Sequence, residues 1–73
     1  MTTTITLNVT TNRGENPSEV AESYGQPWRN AVKGCDADGC GRVFIDCDER
    51  ETADYLIELL GNDDRVQSVR ERA

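Results

Sequence analysis

Val43-Phe44-Ile45-Asp46-Cys47-Asp48-Glu49-Arg50-Glu51-Thr52-Ala53-Asp54-Tyr55-Leu56-Ile57-Glu58-Leu59-Leu60-Gly61-Asn62 changes its hydrophobic period once, and the change decides the fold. From Val43 to Cys47 the period is two: Val43, Ile45 and Cys47 alternate with Phe44 and Asp46, the pattern of a strand with one buried face. Further on, Ala53, Leu56, Ile57 and Leu60 recur at i, i+3, i+4 and i+7, one stripe of an amphipathic helix. Asp48, with Glu51 three residues later, reads as a capping box, and the spacing predicts a helix from Glu49 to Leu60. Gly61 and Asn62 tolerate the left-handed cap conformation and end it.

The same rules extend outward. Thr2 to Thr11 alternates strictly, with Ile5, Leu7 and Val9 on one face and Thr4, Thr6, Asn8 and Thr10 on the other, which predicts a first strand. Asn16-Pro17-Ser18-Glu19 reads as a helix start, with Asn16 as cap, Pro17 in the first turn and Glu19 reaching back. Gly25 and Pro27 keep that helix to about two turns. Trp28 to Lys33 reads as a second strand, Gly34 to Gly41 as a hairpin loop dense in turn formers, and Val66 to Glu71 as a last, polar edge strand. Strand, helix, strand, strand, helix, strand, with right-handed crossovers, is the α+β ferredoxin-like βαββαβ sandwich, one antiparallel sheet with one long and one short helix. The competing reading is a three-stranded sheet with one helix, in which the Trp28 segment is loop. The expected core is Ile5, Leu7, Val9, Val20, Val43, Ile45, Cys47, Leu56, Ile57 and Leu60.

Within this frame, Gly41-Arg42-Val43-Phe44-Ile45-Asp46-Cys47-Asp48-Glu49-Arg50-Glu51-Thr52-Ala53 through Ile57-Glu58 and Leu60-Gly61 resembles the third strand and second helix of an RNA-recognition motif. The resemblance covers about twenty residues and implies the ferredoxin-like fold with an open sheet face that stacks bases on aromatic rings. Phe44 falls where that family has a stacking aromatic. Arg42 occupies the other aromatic position of the strand, and Thr6 stands where the first strand would carry one.

The 73 residues leave room for one small domain, from residue 1 to 73, whose core yields only ~3–5 kcal/mol net, so a staple or a partner subunit would help. With 8 basic and 14 acidic residues the chain carries −6, which argues against a phosphate-gripping surface and disfavours nucleic acid as partner. Between Asp46 and Asp64 eight acids stand against Arg50 alone, a local −7, the composition of a solvated helix face or of a surface for a basic partner. Arginine outnumbers lysine seven to one, the codon bias of a GC-rich genome such as that of an actinobacterium, its phage or a haloarchaeon, and consistent with a phage-type accessory protein. The sequence shows no apolar run long enough to span a membrane and no secretory leader, so a cytoplasmic location with no membrane partner is expected.

Histidine is absent, and with it the commonest general base and metal ligand. No motif pairs a nucleophile with a base, and the expectation is that the protein is not an enzyme and needs no cofactor. Cys35 and Cys40 flank the hairpin loop in the manner of a widened zinc knuckle, and Asp36 and Asp38 could complete a mixed zinc site. Otherwise these two are exposed loop thiols, while Cys47 shares parity with Val43 and Ile45 and is expected to be buried. The candidate contact residues are Phe44 and Arg42 on the open sheet face, and Tyr55 and Leu59, spaced i, i+4 off the helix stripe. Together they predict a small interaction or regulatory protein that binds a protein partner or a second copy of itself. A metal-binding module, or single-stranded nucleic-acid binding by the open sheet face, is the alternative.

Overall fold

A computed structural model describes residues 4–26, 28–34 and 37–72. Its elements run β1 (Ile5–Thr11), α1 (Pro17–Ser23), β2 (Trp28–Val32), β3 (Arg42–Cys47), α2 (Arg50–Gly61) and β4 (Val66–Glu71). The four strands form one sheet in the order β2-β3-β1-β4, with every neighbouring pair antiparallel. The Trp28 segment pairs with β3 from Trp28↔Ile45 to Val32↔Arg42, which sets aside the three-stranded reading. No helix among the described residues is long and apolar enough to cross a membrane.

Strand parity decides which face is covered. Leu7 and Val9 on β1 meet Val43, Ile45 and Cys47 on β3, all of them buried. Val20 and Ala21 from α1, and Ala53, Leu56 and Leu60 from α2, complete the same cluster. Both helices therefore lie on one side of the sheet, and the alternate residues of every strand face away from them. Fully burying a Leu or Ile contributes about 1.5–3 kcal/mol, so this one layer carries most of the stabilisation a chain of this size can obtain. Ile5 and Ile57, expected in the core, are half-buried at its margin. Thr11, Pro17 and Cys40 are buried instead, because the chain closes around the start of α1.

Local signals resolve with small shifts. Asn16 caps α1 by accepting from Ser18 N (3.1 Å), with Pro17 in the first turn. Asp48 does not cap α2: Glu49 holds the extended cap conformation (φ −126°, ψ 141°) with no side-chain hydrogen bond at the cap, so the helix starts at Arg50 and the predicted capping box does not form. Asn62 ends α2 in a right-handed conformation (φ −100°), not the left-handed one its type allows. The ends of the two helices are tied together by Asp63. Its carboxylate accepts from Tyr24 Oη (2.5 Å), from Arg65 N (2.8 Å) and from the Arg65 guanidinium (2.8 Å and 3.1 Å). Arg65 also donates to Ser23 Oγ (3.0 Å), so the last turn of α1 is fastened to the turn between α2 and β4.

Candidate functional site

The uncovered face of the sheet follows from the register. Thr6↔Asp46, Asn8↔Phe44 and Thr10↔Arg42 place these six residues on it, and Asn8↔Arg70 and Thr10↔Ser68 add β4. On β2 the pairing steps from Trp28↔Ile45 to Asn30↔Phe44, so Arg29 is an extra, bulged residue. The Arg29 guanidinium donates to Thr6 Oγ1 (3.2 Å) and to Asp46 Oδ1 (3.1 Å), and Thr6 Oγ1 donates to the same carboxylate oxygen (2.9 Å). This small network stitches β2, β3 and β1 across the open face. Past the end of β4, Arg72 N continues the ladder to Thr6 O (2.7 Å), and the Arg72 guanidinium lies over the Phe44 ring, 5.4 Å from its centroid.

Four of the chain's eight basic residues, Arg29, Arg42, Arg70 and Arg72, thus share one face, on which Asp46 pairs with Arg29. Glu49, Glu51, Asp54 and Glu58 are exposed on and beside α2, on the other side of the sheet. There Arg50 pairs with Glu71 and with Asp54 (3.4 Å), and its guanidinium holds the Glu71 carboxyl below the usual carboxylate range. Such solvent-exposed pairs stabilise little. The net −6 is therefore an average over two surfaces of opposite sign, and it concealed the arginine cluster whose absence it implied.

The candidate contact residues fall on these two surfaces, not on one. Arg42 and Phe44 are half-buried in the open sheet face. Tyr55, 60% exposed, stands on the outer face of α2 among Glu51, Asp54 and Glu58, and Leu59 beside it is half-buried. One flat partner cannot touch both groups. Arg29, Arg70 and Arg72 were missed by sequence reasoning. The signal for the last two was present, since Ser68, Arg70 and Arg72 alternate along a strand already recognised, whereas the bulge that turns Arg29 onto this face has no sequence marker.

For the suggested zinc site, Cys35 and Asp36 lie outside the described residues. Asp38 is exposed, but Cys40 is buried at 4% exposure, a correction to its expected place in an open loop. The reason is that the chain has already rejoined the sheet: Thr11 N donates to Gly41 O (2.9 Å), extending the β1–β3 ladder past Arg42 and carrying Cys40 inward. Among the described residues no three Cys, Asp or Glu side chains group as metal ligands would. Cys47 is buried as expected, and burial, together with the charges of Asp46 and Asp48, pushes its thiol pKa up. Both Cys40 and Cys47 should therefore alkylate slowly in the folded protein and at once in denaturant. Mass spectrometry after brief exposure to iodoacetamide checks this, and rapid native labelling of Cys47 would contradict the strand parity.

Against known protein families, curated proteins and solved structures, the chain finds no match.

Proposed function

We propose that this is a small non-enzymatic interaction protein of ferredoxin-like βαββαβ architecture that binds an acidic segment of a partner protein through the open face of its sheet. The strand order and the one-sided helices support the architecture. One observation carries the functional reading: an arginine quartet gathered on the single sheet face that neither helix covers, in a chain that is otherwise acidic. Arginine holds carboxylates in a bidentate fork and is enriched at interfaces, while the exposed acids of α2 repel the same partner from the opposite side and so orient it. A symmetric dimer through this face would set the two quartets against each other, so a second copy is a poorer occupant than an acidic partner.

A second reading is favoured by Phe44 with Arg72 over its ring: a flat, basic surface with an aromatic is also what single-stranded nucleic acid requires, in keeping with the resemblance to RNA-recognition motifs. The two separate in one experiment. Immobilised protein is incubated with host lysate with and without nuclease, and the Arg29→Ala/Arg72→Ala variant is run beside it. The protein reading expects nuclease-resistant capture, weakened at least about tenfold in the variant, a loss equivalent to about 1.4 kcal/mol. Since the Arg29–Asp46 pair is solvent-exposed, the variant should keep its fold. Capture abolished by nuclease selects the second reading, and capture indifferent to the arginines overturns both.

A further inference from the structure

The two sides of the molecule carry surfaces that fit one another. On the open sheet face Arg29, Arg70 and Arg72 are exposed, while Arg42 beside them is half-buried and already engaged within the chain. The outer face of α2 has the opposite sign. Glu51, Asp54, Tyr55 and Glu58 recur at i, i+3, i+4 and i+7, all exposed, and form one ridge on the side turned away from the sheet. Asp54 has an ion pair with Arg50, whereas Glu51 and Glu58 have none among the described residues. The ridge is also set against the preferences of its own helix. Asp54 and Glu58 are like charges at i, i+4, and Glu58 stands in the last turn, where no basic residue is present and the helix dipole disfavours an acid. Nothing within α2 explains that choice.

We propose that copies of this chain stack head to tail, the acidic ridge of α2 on one copy lying on the open sheet face of the next. The proposal rests on the open face taking an acidic partner, and it names that acidic segment. The dimensions agree. The 12 residues of α2 span ~18 Å, and a six-residue strand such as β3 presents ~20 Å. A helix laid on a sheet face is the packing this chain already uses on its covered side. Glu51 and Glu58 would meet the guanidiniums of Arg29, Arg70 and Arg72, and Tyr55 would bring the one exposed ring of the ridge against them. Tyrosine and arginine are also the residue types enriched at interfaces. The net −6 of each copy does not forbid the contact, because charges further apart than a Debye length, ~8 Å at physiological salt, are largely screened while touching ones are not. Since the two surfaces lie on opposite sides of the molecule, the contact is heterologous. It cannot close as a two-fold dimer, and the arginines of two copies never oppose each other.

The test is the average mass of the purified full chain by sedimentation, from about 20 μM to about 2 mM, a range suited to one helix on one sheet. Head-to-tail stacking expects a mass that climbs without a plateau and falls back to the single chain in about 0.5 M salt. Arg70→Glu and Glu58→Lys, each reversing one face only, should weaken association at least about tenfold. Mixed in equal amounts they should associate again and stop at the pair, because each supplies the face that the other lacks. Glu58→Lys should at the same time melt higher than wild type, since a cation suits the last turn of α2. Weaker stacking in that variant is then not a failure to fold. Arg72→Glu replaces Arg70→Glu should the latter unfold. Asp64→Lys, in the turn between α2 and β4, changes the net charge as Glu58→Lys does and should not weaken stacking. A plateau at twice the chain mass, association indifferent to either reversal, equal loss in Asp64→Lys, or a mixture that stays monomeric would each overturn the proposal. A single chain at every concentration that still captures a lysate partner through Arg29 and Arg72 refutes the stacking and leaves the acid-binding face standing.

Discussion

Gly41→Val is expected to unfold most of the protein at 25 °C. A Cβ at position 41 would lie 2.8 Å from Pro17 Cδ, from Pro17 Cγ and from Thr11 Oγ1. Neither neighbour can give way cheaply. Pro17 is a rigid ring seated in the first turn of α1, and Thr11 is a fully buried, β-branched residue whose backbone is bonded to Gly41 itself. Gly41 is therefore required for close approach and not for an unusual backbone angle. Overpacking of this kind costs about 1–3 kcal/mol for small additions, and valine adds two methyl groups to the clashing carbon. Set against a net stability of ~3–5 kcal/mol for a core of this size, the loss leaves little folded protein. Gly41→Ala should keep its fold but melt roughly 4–20 °C lower. Gly61→Ala is the control: nothing lies within 4 Å of its Cβ, it closes α2, and it should stabilise by on the order of 0.5 kcal/mol. Thermal melts by circular dichroism order the three variants. Equal melting points for Gly41→Ala and wild type would show that α1 is not packed on β3 as described.

Asp63→Ala should be the next most damaging change, and it should alter the pH profile as well as the stability. The carboxylate accepts from Arg65 and from Tyr24 Oη, and these bonds hold its pKa well below the usual carboxylate range. Loss of a hydrogen-bonded, nearly buried charge costs about 1–3 kcal/mol, because the Tyr24 hydroxyl and the Arg65 guanidinium are left facing each other. A depressed folded pKa means that the stabilisation is complete above the unfolded value of 3.8 and fades as pH falls below it towards the lower folded value. Wild type should therefore lose stability below about pH 4, and Asp63→Asn should flatten that limb while starting from a lower level. At the other extreme Tyr24 and Cys47 titrate above their ordinary values of 10.0 and 9.0, chiefly because burial disfavours the charged form. Their contribution is complete below those values and declines as pH rises past them. Urea melts between pH 2 and 11 read both limbs. An unchanged acid limb in Asp63→Asn would remove Asp63 as the clasp between the helices.

Most of the scaffold was legible because it rests on periodicity. The β3–α2 unit came from one change of period, and its inward and outward residues from parity alone. What local pattern could not supply was anything set by a distant neighbour. Asp48 is the better cap by residue type, yet Glu49 takes the cap position, a shift of one residue that local pattern did not supply. Cys40 lies among loop-forming residues, yet is buried because Gly41 has already paired with Thr11. The surface was harder still. Phe44 and Arg42 could be placed on the open face, but a summed charge of −6 cannot reveal that Arg29, Arg42, Arg70 and Arg72 converge from three strands while the acids gather on α2. The bulge that turns Arg29 onto the face is a relation between strands, and no single strand encodes it.

The central claim is that the open sheet face, and not the outer face of α2, receives an acidic partner. The most direct measurement is an amide-shift map of the labelled protein titrated with a short peptide of alternating Glu and Asp, repeated at raised salt. Shifts should concentrate at Thr6, Asn8, Arg29, Phe44, Arg70 and Arg72, weaken with salt, and leave Tyr55 and Glu58 unmoved. Shifts centred on Tyr55 and its neighbours in α2, or a salt-insensitive map, would contradict it.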